Sequence, residues 1–118
     1  MSDEETTVWF NPSCSKCRGA RDLLAEQGVD ASYVEYLKDA PTRAELERVL
    51  ALLGFDDPRD MMRTGESVYG ELGLASVTDR GALLDAMVEH PILIERPIVI
   101  RGDRAVIGRP PERLLELL

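Results

Sequence analysis

The chain has few of the residues that build disulfide scaffolds and zinc sites. Its 118 residues include two cysteines, Cys14 and Cys17, and one histidine, His90. A small disulfide-rich fold is therefore excluded, and a four-ligand zinc site would have to recruit carboxylates or a second chain. No apolar run approaches the length of a membrane span, and the N-terminus opens with Ser2-Asp3-Glu4-Glu5, unlike a basic secretory leader. These features predict a cytoplasmic protein with no membrane partner and no bound metal.

Positive charge is also scarce. Asp and Glu number 22 against 14 Lys and Arg, so the formal net charge is −8. This balance argues against nucleic acid as a partner, because phosphates are usually neutralised by clustered Lys and Arg. Arginine predominates among the basic residues, and arginine is suited to bidentate binding of oxyanions. Length and a hydrophobic content of 44% predict one domain over residues 1–118.

The two cysteines stand two residues apart, directly after a short apolar strand over residues 7–10. The helical spacing of apolar residues from Cys17 to Gln27 places Cys14 where this strand leads into the first turn of a helix. Unpaired N–H groups and the helix dipole favour a thiolate at that position. Cys17, about one turn further on, is suited to resolve a bond that Cys14 makes. Lys16 and Arg18 add local positive charge or point into solvent.

Two other interpretations of the cysteine pair stay open at this point. A CxxC sequence is also half of many zinc sites, although no second CxxC accompanies it here. Alternatively, both thiols are small buried apolar groups without a chemical role. The position at a strand-to-helix junction favours redox or nucleophilic chemistry.

The remaining elements predict an α/β fold with a mixed sheet. The order is β-α-β, a helical insertion at about 42–90, a β-hairpin and a C-terminal helix. Thr42 and Glu45 form the pattern of a capping box, and Arg101-Gly102-Asp103-Arg104 is typical of a hairpin turn. The predicted strands and helices are residues 7–10, 17–27, 31–37, 42–53, 58–62, 66–72, 78–90, 97–100, 105–107 and 110–118. Met61, Met62 and Met87 fit the spacing of core residues.

Several segments resemble one family across nearly the whole chain. They are Asn11-Pro12-Ser13-Cys14 with Arg18, Met62-Arg63, residues 69–74, residues 90–100 and Gly108-Arg109-Pro110. In these segments and in the order of its elements, the chain resembles the thioredoxin-like arsenate reductases of the glutaredoxin-reducible type, the ArsC family. The resemblance implies an oxidoreductase of arsenic detoxification that reduces arsenate to arsenite.

The resemblance also implies roles for single residues. Cys14 is the expected nucleophile, and Arg63, Arg96 and Arg109 are the expected ligands of arsenate or a similar oxyanion. Cys17 is a possible resolving thiol.

Asn11 and Pro97 are the expected supporting residues of this site. No cofactor is expected to be bound. The expected partner is a thiol-redox protein, and the external reductant is glutathione with glutaredoxin or a thioredoxin-like system.

Three positions near the motifs need separate comment. Some family members have a histidine immediately before the asparagine, where this chain has Phe10, so activation of Cys14 would depend on the helix N-terminus and arginines. The resemblance predicts a cis peptide bond before Pro97. His90 precedes a proline at a helix end and is interpreted as a C-terminal cap.

Two alternative functions fit the same cysteine pair. One is a general thiol-disulfide oxidoreductase acting on a protein or small disulfide. The other is a Spx-like redox-sensing regulator that binds RNA polymerase, which the CxxC favours and the retained Arg109 disfavours. Fold resemblance alone does not decide among these activities.

Overall fold

A computed structural model describes residues 5–118. Ser2, Asp3 and Glu4, on which the expectation of no secretory leader partly rests, lie outside the described residues. No helix of that part is long and apolar enough to cross a membrane. The strands are β1 (Thr6–Trp9), β2 (Ser32–Val34), β3 (Ile98–Arg101) and β4 (Arg104–Ile107). The α-helices are α1 (Ser15–Glu26), α2 (Arg43–Leu52), α3 (Ser67–Glu71) and α4 (Arg80–Glu89). Short 3₁₀ helices cover Pro58–Met61, Leu74–Ser76, Pro91–Leu93 and Pro111–Leu117.

The four strands form one mixed sheet in the order β2-β1-β3-β4. β1 pairs with β2 in parallel, whereas β1–β3 and β3–β4 are antiparallel. A parallel pair requires a crossover connection, and α1 provides it. The predicted α/β class and thioredoxin-like order of elements are confirmed.

The described chain separates into two compact units. The sheet unit contains the chain up to Asp39 and from Arg96 onward, and the helical unit is Ala40–Glu95. The helical unit contains α2, α3 and α4. The organisation of residues 1–118 as one domain with an insertion at about 42–90 stays a prediction.

One face of the sheet carries the core of the sheet unit. Val8 and Val99 are register partners, as are Val99 and Val106, so their side chains share a face. That face packs with α1 and the final 3₁₀ helix in a cluster of Val8, Phe10, Cys17, Ala20, Leu24, Val99, Val106, Leu114 and Leu117. This packing fixes the N-terminus of α1 beside the end of β1.

The predicted strand over residues 31–37 is too long. β2 ends at Val34, because the backbone N–H groups of Lys38 and Asp39 both donate to the carbonyl of Glu35 and close a turn. Tyr36 is buried in that turn region and Leu37 is exposed. Because alternation of buried and exposed residues is also typical of a strand, the sequence pattern predicted a longer one.

The final helix is a 3₁₀ helix rather than the expected longer helical element. It covers Pro111–Leu117, and its buried residues are Leu114 and Leu117. A spacing of three places these side chains on the same side of a 3₁₀ helix, which has three residues per turn. Leu115 is correspondingly exposed.

Several features of the helical unit agree with the predictions from short sequence patterns. Thr42 caps α2, and the reciprocal hydrogen bonds with Glu45 complete the capping box, an arrangement of about 1 kcal/mol. Met61, Met62 and Met87 are buried, as expected of core residues. His90 is the C-cap residue of α4, as interpreted from the sequence.

Candidate active site

The loop between β1 and α1 holds Cys14 at the helix N-terminus. Cys14 is the N-cap residue of α1, and its side chain makes no capping hydrogen bond. The Cys14 N–H donates to the Asn11 carbonyl at 3.0 Å, and the Ser13 N–H donates to Asn11 Oδ1 at 3.0 Å. These two hydrogen bonds to Asn11 close the turn that leads to Cys14.

Arg18 fixes the same loop from the first turn of α1. Its Nη1 donates to the carbonyl of Pro12 at 3.0 Å, while its backbone N–H donates to the carbonyl of Cys14 at 3.0 Å. The sequence interpretation offered only added charge or solvent exposure for this side chain. Its position four residues after the N-cap, where a helical side chain leans back toward the preceding turn, is the signal that would have found this contact.

The surroundings of Cys14 favour its thiolate. Partial burial is the largest single effect and opposes ionisation, whereas hydrogen bonds from the backbone N–H and thiol of Cys17 favour it. With the backbone N–H of Lys16 and the charge of Arg96, these hydrogen bonds outweigh the burial and lower the pKa of Cys14 from 9.0 to about 7. A large fraction of Cys14 is therefore ionised at neutral pH.

The surroundings of Cys17, in contrast, disfavour its thiolate. Its side chain is fully buried, and this burial is the main reason that its pKa is raised to about 12. A hydrogen bond from the Asn11 backbone opposes the rise, and the neighbouring Cys14 thiolate adds to it. Cys17 is thus a neutral thiol that donates to the Cys14 sulfur. In the structure both cysteines are free.

Two of the expected arginine ligands meet beside Cys14. Arg109 Nη1 lies 3.9 Å from Cys14 Sγ, and the same nitrogen donates to the Arg96 carbonyl at 3.2 Å. The peptide bond between Arg96 and Pro97 is cis, as the resemblance predicts. A second cis peptide bond, between Arg109 and Pro110, was not anticipated from the sequence.

Gly108 allows this close approach of two segments. Its N–H donates to the Pro97 carbonyl at 2.8 Å, and a Cβ atom added at Gly108 would lie 3.1 Å from Pro97 Cγ. A larger residue would therefore press on the proline ring that follows Arg96. This contact was not predicted from the sequence, where the glycine was its only sign.

Arg63 lies in the helical unit, where it follows Met62 on the segment that pairs with Ile94. Its backbone N–H donates to the Leu93 carbonyl at 2.7 Å. Its guanidinium Nη2 lies 2.8 Å from a carboxylate oxygen of Glu66. The side chain is therefore held by a partner of its own unit.

Phe10 has a packing role in place of the histidine of some relatives. Its ring is nearly buried and meets Tyr33 edge-on, with centroids 5.3 Å apart. The Arg21 guanidinium lies 5.9 Å from the ring centroid, within the range of a cation–π contact. Neutral-pH ionisation of Cys14 is thus achieved without an imidazole at this position.

No metal-binding cluster accompanies the thiols. Among residues 5–118, His, Cys, Asp and Glu form no group of three or more that could hold a metal ion. The site as described consists of a thiolate, a thiol and guanidinium groups. Such a set can bind an anion, form a covalent bond to it through sulfur, and exchange that bond for a disulfide.

Comparison with known proteins gives a consistent result. The model of the ArsC family matches residues 9–117, a range that includes both cysteines and all three expected arginines. The chain is 43% identical to a Neisseria meningitidis serogroup A protein named arsenate reductase, with 97% of this chain and 98% of that protein covered. It is also 43% identical to uncharacterized protein YfgD of Escherichia coli K12, over 98% of both chains. An arsenate reductase structure from Vibrio cholerae matches with a TM-score of 0.95 and 43% identity, covering 99% of this chain and all of that one.

Proposed function

The chain belongs to the ArsC family, and on that premise we propose that it is a thiol-dependent arsenate reductase with Cys14 as its nucleophile. The observation that carries the proposal is an ionisable thiol beside a guanidinium, with Arg109 Nη1 3.9 Å from Cys14 Sγ. The relatives named arsenate reductase supply the substrate class. The cytoplasm, where thiols are kept reduced, is the compartment that suits this chemistry.

The arginines are the proposed oxyanion ligands. Arsenate is a dianion near neutral pH, and a protein of net charge −8 needs local guanidinium groups to hold it. Arg96 and Arg109 meet beside Cys14 in the sheet unit. Arg63 is assigned as the third ligand on the family resemblance alone.

In the first step, the Cys14 thiolate attacks arsenic and forms a sulfur–arsenic bond. One arsenate oxygen leaves as water after taking up two protons. Arsenic stays in the +5 state, and the arginines stabilise negative charge on the remaining oxygens as the bond forms. The lowered pKa of Cys14 supplies the thiolate for this attack.

In the second step, a second thiol reduces the adduct. We assign this role to Cys17, whose thiol already donates to the Cys14 sulfur. As Cys17 loses its proton and attacks that sulfur, a disulfide forms and the sulfur–arsenic bond breaks. The bonding electrons stay on arsenic, which becomes arsenite in the +3 state, while the two cysteines lose two electrons. A thioredoxin-like dithiol then reduces the Cys14–Cys17 disulfide.

An external thiol is the alternative attacking group. Glutathione would replace Cys17 at the Cys14 sulfur, and glutaredoxin would then reduce the mixed disulfide. The burial of Cys17 and its pKa of about 12 slow the internal route, because attack requires a thiolate. A variant that lacks the Cys17 thiol therefore distinguishes attack by Cys17 from attack by glutathione.

A second candidate function is general thiol-disulfide exchange. The observation that favours it is the direct hydrogen bond between Cys14 and Cys17, one a thiolate near neutral pH and the other a thiol. This reaction needs no oxyanion site, so it leaves the arginines unused. A disulfide substrate reduced in the absence of arsenate would support it.

The decisive experiment measures arsenate-dependent NADPH oxidation by purified protein. One assay contains thioredoxin and thioredoxin reductase, and the other contains glutathione, glutaredoxin and glutathione reductase. Turnover in either supports the reductase proposal and identifies the electron donor. No turnover in both, with a Cys14–Cys17 disulfide that the same systems reduce, refutes arsenate as the substrate.

Variants of the two cysteines separate their roles in this assay. Cys14→Ser should abolish turnover with every reductant, because no sulfur–arsenic bond can form. Cys17→Ser should abolish only the thioredoxin-dependent route. Activity retained in Cys14→Ser would make the nucleophile assignment wrong.

A further inference from the structure

Cys14 and Cys17 place two sulfur atoms side by side at the start of α1. Cys14 is the N-cap residue and Cys17 lies three positions further on, a spacing at which helical side chains are neighbours. The thiol of Cys17 donates a hydrogen bond to the Cys14 sulfur. Both cysteines are free, and both belong to the sheet unit. The reduced protein therefore has a preformed dithiol within one unit.

A dithiol of this kind is suited to a soft acceptor that needs few ligands, because thiolates select soft elements. Zinc is a poor match, since structural zinc sites have four ligands and residues 5–118 contain no group of three or more metal-binding side chains. Trivalent arsenic needs only the two sulfurs, because arsenous acid can keep one of its three hydroxyl groups. The ligand count thus favours arsenic over zinc.

The charges beside Cys14 also favour trivalent arsenic over a metal cation. Arg109 Nη1 lies 3.9 Å from Cys14 Sγ, and the charge of Arg96 acts on the same sulfur. These guanidinium groups repel a cation that approaches the thiols. Arsenous acid is uncharged near neutral pH, so it reaches the sulfurs without that repulsion.

The protonated state of Cys17 fits the exchange of hydroxyl for sulfur on arsenic. Metal ions bind thiolates, whereas burial keeps Cys17 a neutral thiol. On arsenic, the departing hydroxyl takes up the thiol proton and leaves as water, so Cys17 need not ionise beforehand. Cys14 is only partly buried and forms the first bond, and Cys17 then forms the second within the protein. A disulfide would bring the sulfurs to about 2 Å, whereas a bridging arsenic atom leaves them further apart.

We propose that the reduced Cys14–Cys17 pair is a binding site for trivalent arsenic, held by a bond to each sulfur. Two sulfur–arsenic bonds form and two arsenic–oxygen bonds break. The proton of Cys17 and one proton from solvent, which the Cys14 thiolate lacks, complete two waters. Arsenic stays in the +3 state and neither sulfur is oxidised. Under the proposed function this ligand is the reaction product, but the binding itself does not depend on that function.

The test incubates the reduced wild-type protein with sodium arsenite and measures the mass of the adduct by native mass spectrometry. The expected adduct has the mass of arsenous acid less two waters, because both sulfurs have replaced hydroxyl groups. An adduct that has lost only one water is bonded to one sulfur and would overturn the proposal. The absence of any adduct would overturn it as well.

Cys17→Ser is the matched variant, because it keeps Cys14 and removes the second sulfur. The arsenite concentration that half-protects Cys14 from iodoacetamide should rise roughly a thousandfold, because the second bond of a two-point ligand forms at a high effective concentration. Should Cys17→Ser fail to fold, as judged by thermal unfolding, Cys17→Ala provides the same comparison. Equal half-protection in the wild type and a folded variant would refute the two-sulfur site.

Dimethylarsinous acid is the control probe, because it is trivalent arsenic with one exchangeable hydroxyl group. It can bond to one sulfur only, so the loss of the Cys17 thiol should change its half-protection far less than that of arsenite. A change as large as that seen with arsenite would show that the substitution impairs Cys14 itself, and the two-sulfur site would be rejected.

The arsenite and arsenate measurements have separate outcomes. The two-water adduct in a protein without arsenate turnover supports this site and refutes the reductase. Arsenate turnover in a protein that forms no such adduct supports the reductase and refutes this site.

Discussion

Cys14 and Cys17 have the same side chain and differ in what surrounds the sulfur. The Cys14 sulfur receives hydrogen bonds at the N-terminus of α1, and its pKa falls to about 7. The Cys17 sulfur is enclosed in the core, and its pKa rises to about 12. The pair therefore divides into a thiol that is largely ionised near neutral pH and a thiol that stays protonated there.

The first prediction concerns the pH dependence of alkylation at Cys14. Because the thiolate is the reactive form, the rate of modification by iodoacetamide should rise with pH and level off above a midpoint of about 7. At pH 7, about half of Cys14 should be ionised, against about one in a hundred for a thiol with a pKa of 9.0. Peptide mapping by mass spectrometry assigns the modified residue.

Cys17→Ala is the matched variant for this profile. It removes the thiol that donates to Cys14, so the midpoint should move to higher pH. Cys17 itself should stay unmodified near neutral pH, because it is buried and protonated. A wild-type midpoint near 9 would contradict the assigned surroundings of Cys14.

The second prediction concerns Arg109. Arg109→Gln removes the guanidinium that lies 3.9 Å from Cys14 Sγ, and kcat/KM for arsenate should fall by roughly a hundredfold. Arg113→Gln, which removes an exposed guanidinium of the final 3₁₀ helix, is the control and should leave kcat/KM near the wild-type value. A loss of less than about twofold in Arg109→Gln would exclude Arg109 from the stabilisation of the transition state.

At the scale of elements, the end of β4 is packed against the segment that begins β3. The third prediction is that Gly108→Ala lowers stability by about 1–3 kcal/mol and also lowers kcat/KM, because the added Cβ would lie 3.1 Å from the Pro97 ring. Arg96 directly precedes that ring, so its displacement would move an expected oxyanion ligand. Urea unfolding and arsenate kinetics measure the two effects.

Gly70→Ala is the control for this substitution. Gly70 lies in α3, and a Cβ added there meets nothing within 4 Å. The change should be neutral or slightly stabilising, because alanine favours helix more than glycine does. Equal losses in both variants would show that the Pro97 contact is not the cause.

Local signals in the sequence predicted much of the fold. The capping box at Thr42 and Glu45 depends on residues three apart, so the sequence alone specifies it. The end of β2 at Val34 was missed because the turn at Glu35 buries Tyr36 and exposes Leu37, an alternation that is also typical of a strand. The 3₁₀ form of the last helix was missed because it depends on how Leu114 and Leu117 pack, which a local pattern does not show.

The sequence predicted candidate residues for the site but not the ionisation of its thiols. Family motifs identified the cysteines and arginines, which are expectations that the experiments above test. Predicting the pKa values of Cys14 and Cys17 would have required knowledge of the burial of Cys17 and of the position of Arg96, which lies far along the chain. Predicting the Arg63–Glu66 ion pair would have required knowledge of the turn that joins the two residues. Each of these properties arises from three-dimensional proximity.

At the scale of the whole molecule, the net charge of −8 disfavours nucleic acid as a partner, whereas the proposed oxyanion site needs only local positive charge. The fourth prediction is that a fluorescently labelled DNA duplex shows no anisotropy change with this protein at low salt, because polyanion binding requires an extended basic surface. On the proposed function, arsenate would need only the local guanidinium groups. Salt-sensitive binding of the duplex would contradict this interpretation of the charge.

The burial of Cys17 also affects what happens when peroxide oxidises Cys14. Peroxide converts an accessible thiolate to a sulfenic acid, and further oxidation to the sulfinic acid is irreversible in most proteins. Because the protected thiol of Cys17 already contacts the Cys14 sulfur, it can condense with the sulfenic acid, release water and form a disulfide that cellular thiols reduce. We therefore expect peroxide to convert this protein to a disulfide form, which cellular thiols can reduce back to the two free thiols.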